Sequence, residues 1–315
     1  MNIKKLNGHN IELSHEDKVY FPKSKITKGE VVNYYEKIAP YLLSYIHNRA
    51  ITMKRFPEGI VGDFFYQKNA GAYFPDWIQL EKVTNKSEEC NRAITSYVVC
   101  QNVATLVYIA NQGCITPHMW LSKIAKINYP DVLIFDLDPA AQRVTNFKPI
   151  HDAAIMLKSI LEACGLVPFV MTTGSRGLHV RVPIKPELTF DEVRAFAKVI
   201  SEIIVDQDPK RFTVASRKEK RSNKLLIDIM RNSFGATAVV PYAVRAREHA
   251  PVATPLEWEE LNDSKLRSDT YTIKTIFKRL EKKGDVWFKM QKHAYQLKNA
   301  IKALKKLYSS KIEKS

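Results

Sequence analysis

Several features that would indicate other protein classes are missing from this chain. Its four cysteines are scattered without a Cys-x-x-Cys pair, which argues against a zinc knuckle and is typical of reduced, mostly buried thiols: Cys90, Cys100, Cys114 and Cys164. No segment approaches the roughly 20 uninterrupted apolar residues of a membrane span, and the first residues lack an apolar signal core. We therefore expect a cytosolic protein without a membrane partner.

Composition and charge indicate a folded protein with an anionic partner. The 315 residues are 45% hydrophobic and 10% aromatic, which is typical of a globular chain that forms one large domain or two smaller ones. The net charge is +16, and residues 271–315 contribute much of it, with 13 Lys and Arg against 3 Asp and Glu. An excess of this size favours nucleic acid as the partner over charge that serves solubility alone.

Strand-like and helix-like segments alternate irregularly along the chain, and no β-α-β repeat is evident. This mixture predicts an α+β fold rather than a doubly wound sheet. Capping-box pairs, Thr27 with Glu30 and Thr189 with Glu192, predict the starts of two helices. Pro40 is expected to end or kink the first helix, and residues 41–46 are expected to continue helically.

The central prediction concerns an acidic strand. Residues 129–139 contain a short apolar run that stops at Pro139, which predicts a buried strand with Asp136 and Asp138 on one face. Two such carboxylates indicate either a divalent metal site or loop-edge aspartates, one of which caps the next element. Asp228 ends another apolar run and is either a third ligand beside them or a surface aspartate. Three carboxylates around two metal ions form the usual nucleotidyl-transfer arrangement.

A glycine-containing loop follows the next predicted strand. In residues 173–177 the glycines let backbone N–H groups approach an anion, while Ser175 and Arg176 add a hydroxyl and a guanidinium. His179 and Arg181 share a face of the strand after it. We interpret this cluster as a triphosphate-binding site, with a simple hairpin turn as the alternative.

Basic and aromatic residues predict contacts with nucleic acid. Lys54 and Arg55 offer phosphate contacts, and Phe64 and Phe65 offer a base-stacking platform. Strand alternation predicts that only one of the two phenylalanine rings is free to stack.

Two further sets of candidates follow later in the chain. Arg245 and Arg247 come after an apolar run and are candidate phosphate contacts. His118 precedes Trp120 on an extended segment, where a core histidine is the alternative to a functional one.

The chain resembles the polymerase domain of bacterial ligase D, a member of the archaeo-eukaryotic primase superfamily. The matching segments occur in family order over roughly residues 13–280: 17–22 (DKVYFP), 26–29 (ITKG), 54–57 (KRFP), 64–68 (FFYQK), 135–139 (FDLDP), 174–179 (GSRGLH) and 235–258. The resemblance implies a primase-like α+β fold, with a central mixed or antiparallel sheet as the active-site core and flanking helices. It implies one primase-polymerase domain over residues 1–308, with an N-terminal lobe of about 1–125, a catalytic lobe of about 126–270 and a lysine-rich helical tail over 271–315.

The resemblance also implies a function. Family members are template-dependent nucleotidyltransferases that fill gaps at DNA double-strand breaks in non-homologous end joining. They add NTPs, or less readily dNTPs, to a primer 3′-hydroxyl, use two divalent cations with Mn²⁺ preferred over Mg²⁺, and recognise a downstream 5′-phosphate. The expected location is the prokaryotic cytoplasm, and Ku and a separate DNA ligase are candidate partners.

Residue roles carry over by motif. The metal ligands would be Asp136, Asp138 and Asp228. The nucleotide would be bound by Lys54, His118, Ser175, Arg176, His179 and Arg245. The 5′-phosphate would be bound by Lys18 and Lys28, and template bases would stack on Phe64 and Phe65.

Two positions depart from the family pattern. Arg176 stands where lysine is common, and His15 stands where an asparagine often accompanies the two 5′-phosphate lysines. No ligase or nuclease module accompanies the matching segments, so we expect a stand-alone polymerase or a domain of a longer protein. A replicative primase would not need Lys18 and Lys28, and a DNA-end-bridging module would not need the acidic residues. These two alternatives stay open at the level of sequence.

Overall fold

The computed structural model describes residues 2–84, 94–140, 146–217, 219, 221 and 223–312, with side chains as far as residue 309. Cys90 lies outside these ranges, and Cys100, Cys114 and Cys164 are buried free thiols, as expected. Across the described ranges, no helix combines the length and apolarity that a membrane crossing requires.

Helices and mainly antiparallel strands alternate irregularly, which confirms the α+β prediction. The helices are α1 (Lys28–Ile46), α2 (Val103–Asn111), α3 (Lys148–Ala163), α4 (Phe190–Gln207), α5 (Ile276–Lys283) and α6 (Leu297–Ile312). The strands are β1 (Asn2–Leu6), β2 (His9–Leu13), β3 (Val19–Phe21), β4 (Ile26–Thr27), β5 (Ala50–Arg55), β6 (Phe65–Gln67), β7 (Leu80–Thr84), β8 (Ile94–Val99), β9 (Cys114–Trp120), β10 (Val132–Asp138), β11 (Phe169–Thr172), β12 (Leu178–Pro183), β13 (Phe212–Thr213), β14 (Leu225–Asp228), β15 (Thr237–Val239) and β16 (Pro255–Leu256).

The chain divides into two compact units. The first comprises Met1–Ala125, Thr237–Thr254 and Tyr271–Gly284, and the second comprises Lys126–Ala236, Pro255–Thr270 and Asp285–Ser315. The break near residue 125 coincides with the predicted lobe boundary, whereas two later segments return to the first unit. The predicted domain limits themselves stay a prediction.

The first unit is built on a sheet with the strand order β15-β9-β5-β8-β7. Strand β6 pairs with residues 53–55 of β5. The N-terminus of α1 carries the predicted capping box, since Glu30 N donates to Thr27 Oγ1 at 3.2 Å and Thr27 N donates to Glu30 Oε2 at 2.8 Å. The apolar side of α1 is buried at Tyr35 and Ile38. Helix α1 continues through Pro40 to Ile46, which confirms the expected helical continuation over residues 41–46.

The second unit is built on a sheet with the order β13-β14-β10-β12-β11-β16, in which all neighbours are antiparallel except β13 and β14. Strand β10 lies inside this sheet, and its residues from Val132 to Leu137 are buried. Helices α3 and α4 both pack against β10, and α4 begins at the predicted Thr189 capping box. The acidic strand is therefore a core element of the unit.

The lysine-rich C-terminal segment is helical in two parts, α5 and α6, which are separated by an irregular stretch. Trp287 in that stretch is buried, and α6 buries Leu297, Ala300 and Leu304. The segment is therefore anchored by apolar side chains, and most of its lysines are left exposed.

Candidate active site

Strand register brings the acidic residues of the second unit together. Asp136 lies directly opposite Asp228 on β14 and directly opposite His179 on β12. Directly paired residues present their side chains on the same face of a sheet, and Asp138 is two residues from Asp136. The three carboxylates therefore share one face, and the predicted adjacency of Asp228 to the acidic strand is confirmed.

A buried asparagine extends this pairing where β14 ends. The Asn232 side chain accepts a hydrogen bond from Ile134 N at 2.9 Å and donates to Ile134 O at 2.7 Å. It also donates to Ile229 O at 2.8 Å. The Asn232 side chain thereby forms with β10 the hydrogen bonds that the backbone of a neighbouring strand would form. These bonds hold the chain that follows Asp228 in place.

Cationic side chains hold two of the three carboxylates. Arg176 Nη2 lies 2.7 Å from Asp138 Oδ1, and Arg221 Nη1 lies 3.3 Å from Asp138 Oδ2. Arg231 Nε lies 3.3 Å from Asp136 Oδ2. Arg221 and Arg231 are site residues that the sequence analysis missed, although Arg231 follows Asp228 by only three positions, which was an available signal.

The electrostatics of the centre reflect both burial and these neighbours. Burial tends to raise the pKa of Asp136, but His179 and Arg231 outweigh it and hold the pKa well below its ordinary value. Burial raises the pKa of Asp228, and the charges of Asp136 and Asp138 add to the increase, against a hydrogen bond donated by Met230 N at 2.8 Å. The three carboxylates are thus close enough to repel one another.

His179 is only 3% exposed, and its Nε2 lies 3.4 Å from Asp136 Oδ1. Burial lowers the pKa of His179 despite the opposite effect of Asp136. On the other side of the ring, Arg181 Nη2 lies 3.5 Å from His179 Nδ1. A neutral imidazole that donates to Asp136 satisfies these contacts.

The donor set fits hard divalent cations. Carboxylate oxygens on one face are the ligands that Mg²⁺ and Mn²⁺ prefer. Such ions would relieve the repulsion that, together with burial, raises the pKa of Asp228. Within the part of the chain that is described, no three His, Cys, Asp or Glu side chains are already arranged as a ligand set. Arginine side chains balance the charge of Asp136 and Asp138. The roles of the three carboxylates as metal ligands stay a prediction.

The glycine-containing loop joins β11 to β12 and lies against the acidic strand. Thr173 N donates to Gly177 O at 3.1 Å, which closes the turn, and Gly174 has a positive φ of 64°. A Cβ atom on Gly177 would lie 1.8 Å from Leu137 O, so only glycine fits there. The loop is a hairpin turn between β11 and β12, which was the alternative to a triphosphate-binding site. It also places Arg176 in contact with Asp138.

In the first unit, two predicted phosphate contacts lie near each other. Lys54 on β5 is paired in register with Thr116 on β9, and Thr116 Oγ1 donates to Val244 O at 2.7 Å. Arg245 follows directly, and its N–H donates to Pro251 O at 2.7 Å. Burial lowers the pKa of Lys54, and the positive charge of Arg245 lowers it further. Lys54 and Arg245 are therefore suited to bind an anionic group such as a phosphate.

The aromatic residues form an exposed surface around Lys54 and Arg55. Phe64 is 50% exposed and Phe65 is 46% exposed, so the expectation that only one of these rings would be accessible is wrong. The reason is that Phe64 precedes the short edge strand β6 and packs on Phe56, with ring centroids 5.2 Å apart, instead of entering the core. Lys54 Nζ lies 4.0 Å above the Phe64 ring, and Arg55 Cζ lies 5.3 Å from the Phe65 ring.

His118 lies within the sheet of the first unit and is 8% exposed. It pairs in register with Thr52 on β5 and Val239 on β15. Its ring is 5.9 Å from that of Tyr66, which is 52% exposed on the aromatic surface. His118 is therefore a core histidine with one contact at that surface, and its role near a nucleotide sugar stays a prediction.

Lys18 and Lys28 come together at the start of α1. Lys28 N donates to Lys18 O at 2.8 Å, and Lys28 Nζ donates to Ser14 O at 2.6 Å and Ser14 Oγ at 3.0 Å. Burial lowers the pKa of Lys28 to about 8, and the charge of Lys18 contributes. Lys18 Nζ pairs with Glu58 Oε2 at 2.5 Å. His15 has a positive φ of 52°, a backbone conformation that asparagine also adopts readily.

Known proteins resemble this chain in both sequence and fold. The family model described as the LigD primase-polymerase domain matches residues 27–287. The solved polymerase domain of Mycobacterium tuberculosis ligase D, in complex with DNA, is similar with a TM-score of 0.82 and 27% identity, over 90% of this chain and 99% of that one.

Curated relatives are longer proteins. The chain is 32% identical to the bifunctional non-homologous end joining protein LigD of Bacillus subtilis, over 88% of this chain and 44% of that protein. It is 31% identical to the multifunctional LigD of Pseudomonas aeruginosa, over 86% of this chain and 31% of that protein. The chain thus spans less than half the length of these relatives. Because the family model covers most of its residues, the chain belongs to the LigD primase-polymerase domain family, which confirms the predicted resemblance and makes it a nucleotidyltransferase by family.

Proposed function

We propose that this chain is a template-dependent polymerase of DNA end joining, which extends a primer 3′-hydroxyl at gaps and double-strand breaks. The observation that carries the proposal is the register that sets Asp136, Asp138 and Asp228 on one face of the second unit's sheet. The names of the relatives, which are end-joining proteins, support the repair context. The DNA bound to the solved mycobacterial domain supports the substrate class.

In the second unit, Asp136, Asp138 and Asp228 would hold divalent cations, which are expected of this polymerase family. When bound, the ions would activate the 3′-hydroxyl and stabilise the pyrophosphate leaving group. Arg176 and Ser175 would bind the triphosphate, since the loop of residues 173–177 holds them beside the acidic strand. Arg231 and His179 would keep Asp136 ionised, because both contact its carboxylate.

In the first unit, the proposed contacts are with phosphates, sugar and bases. Lys54 and Arg245 would bind phosphate, and His118 would lie near a nucleotide sugar. Phe64 and Phe65 would stack on template bases, which their exposure permits. Lys18 and Lys28 would bind the downstream 5′-phosphate.

Finer features of the proposal rest on the family resemblance alone. These are a preference for NTPs over dNTPs, two ions with Mn²⁺ preferred over Mg²⁺, action in the prokaryotic cytoplasm, and Ku and a DNA ligase as partners. Primer extension with each nucleotide type and each metal ion measures the first two directly.

The test of the function is primer extension on a gapped duplex, with and without a phosphate on the downstream 5′ end. We expect template-directed addition that is faster on the phosphorylated gap. Lys28→Ala should remove this preference and retain catalysis, because that phosphate is the only group of the substrates that Lys28 is proposed to contact. Lys37→Ala on the exposed side of α1 is the matched control, and its preference should match that of the parent protein.

Other outcomes would support other functions. Strand initiation without a primer, with no effect of the 5′-phosphate, would identify a replicative-type primase. DNA-end bridging by the protein without any nucleotide addition would identify a non-catalytic module. Either result contradicts the proposal.

A further inference from the structure

Ser268 lies far along the chain from the glycine-containing loop, yet its side chain contacts three groups of that loop. It is 3% exposed. Its Oγ lies 2.8 Å from Gly177 O, 3.0 Å from Thr173 Oγ1 and 3.2 Å from Ser175 N. All of these residues belong to the second unit. A single hydroxyl therefore connects both ends and the middle of the loop.

The hydrogen-bonding capacity of a serine hydroxyl matches these contacts. The hydroxyl has one proton and two lone pairs. The proton is donated to Gly177 O, the shortest of the contacts, and a lone pair accepts from Ser175 N–H. Either hydroxyl can donate in the contact between Ser268 and Thr173, since the Thr173 hydroxyl also donates to Gly177 O at 3.1 Å. Thr173 Oγ1 in turn accepts from Gly177 N and Ser175 N, each at 3.3 Å. Two hydroxyls thus form the inner support of the loop.

This support acts where the loop touches the acidic strand. Gly177 is seated against Leu137 O, with no space for a Cβ atom. The carbonyl that Ser268 holds belongs to this same glycine. Arg176, the preceding residue, reaches Asp138 at 2.7 Å. A shift of Gly177 would therefore move Arg176 and Ser175 relative to the acidic strand.

Ser268 is itself held by a well-bonded segment. Arg267 N donates to Thr270 Oγ1 at 2.8 Å, and Arg267 Nη1 donates to Ser264 O at 2.8 Å. Leu266 N donates to Asp263 O at 3.0 Å, and the Leu266 side chain is 4% exposed. The serine is consequently an anchor that is fixed from outside the loop.

We propose that Ser268 is a positioning residue for the nucleoside triphosphate, because its buried hydroxyl sets the conformation of the loop that carries Ser175 and Arg176. The inference rests on the proposed role of that loop in triphosphate binding. Ser268 acts through the loop and contacts no reacting atom. Its loss is expected to affect binding of the nucleotide more than the chemical step.

The experiment measures primer extension by Ser268→Ala at varied NTP concentration. We expect KM for the NTP to rise about tenfold, because a buried hydrogen bond that supports the loop is lost. We expect kcat to change less than about threefold. Titration of a fluorescent ATP analogue should show the same loss of affinity without turnover. Ser201→Ala is the matched control, since Ser201 is a fully buried serine of the second unit that donates to Ala197 O within α4.

Two further variants separate positioning from general loss of structure. Ser268→Cys retains a weak donor and should give an intermediate KM. Thr173→Val removes the partner hydroxyl, and its effect on KM should be non-additive with that of Ser268→Ala, because both act on one network. Thermal unfolding of each variant establishes that the fold is retained.

The outcomes distinguish this inference from the proposed function. If Arg176→Ala raises KM strongly but Ser268→Ala leaves it unchanged, the loop binds nucleotide and the positioning role is wrong. If Arg176→Ala leaves KM and ATP-analogue affinity unchanged, the proposed triphosphate site itself is wrong. A fall in kcat at constant KM in Ser268→Ala also contradicts the inference.

Discussion

The acidic centre of the second unit and the aromatic-basic surface of the first unit are built in opposite ways. The aromatic-basic surface comprises Lys54, Arg55, Phe64, Phe65 and Tyr66. In the acidic centre, Asp136 is 9% exposed and is positioned by backbone pairing on both sides. On the surface, Phe64 and Phe65 are about half exposed and are positioned by contacts between side chains. The proposed metal ligands thus take their positions from strand register, whereas the rings proposed to contact nucleic acid remain open to solvent.

The largest expected effect tests the acidic centre. Asp136→Ala should lower the rate of nucleotide addition about a thousandfold, because preorganised charge in a buried site is a major part of catalysis. DNA affinity should change little, since the DNA contacts are assigned to other residues. Rates of primer extension and fluorescence anisotropy with labelled DNA measure the two quantities.

Asp152→Ala is the control for Asp136→Ala. Asp152 is a carboxylate of the same unit that pairs with Lys148 and Arg211 on and near α3. Its removal should leave the rate of nucleotide addition within about threefold of the parent, if the rate depends on the acidic centre and not on ion pairs in general. Equal losses in both variants would contradict the assignment.

The second effect tests the electrostatic character of DNA binding. If about six phosphates are neutralised by Lys and Arg, DNA affinity should fall about a thousandfold between roughly 50 and 200 mM monovalent salt. The half-buried cations of the aromatic-basic surface and the exposed lysines of α5 and α6 are the reason for this expectation. Anisotropy titrations at four salt concentrations give the slope, and a loss below tenfold would contradict an electrostatic interface.

The third effect distinguishes the two phenylalanines. Each alanine substitution should weaken DNA binding about tenfold, the usual loss when one base-stacking ring is removed. Phe64→Ala should also raise KM for the NTP, because Lys54 Nζ lies on the Phe64 ring, whereas Phe65→Ala should not. Phe288→Ala, at an 80% exposed phenylalanine of the second unit, is the control and should change neither quantity.

The smallest effect is a pH dependence at Lys28. The pKa of Lys28 is lowered to about 8, so the side chain is charged below that pH and neutral above it. A 5′-phosphate is a dianion above pH 7, so the affinity gained from it should fall as pH rises, by about fourfold between pH 7 and pH 8.5. The ratio of affinities for phosphorylated and unphosphorylated gaps measures this change, and a ratio that is constant over the range would contradict it.

Much of the fold was predictable because the signals are local. The capping boxes at Thr27 and Thr189 begin helices, and the short apolar run before Pro139 is a buried strand. The helical continuation after Pro40 to Ile46 was predicted as well. The miss at Phe64 also has a local cause, because strand alternation was assumed for a residue that lies just before β6.

The candidate site was predictable only in part. Asp136 and Asp138 are two residues apart on one strand, so their common face follows from the period of a β-strand. The cations Arg221 and Arg231 were missed because their carboxylate partners lie on β10, far from them along the chain. No local pattern indicates that Ser268 supports a loop that lies far before it in the chain.

The sequence by itself determined which residues carry charge, where strands and helices begin, and which side chains share a face along one strand, since these depend on neighbours within a few positions. Only the tertiary structure decided that Asp228 lies opposite Asp136, that arginines balance the carboxylates, and that Ser268 holds Gly177 against β10. Those contacts join distant segments, and their pairing is selected by the packing of the whole sheet and not by any local preference.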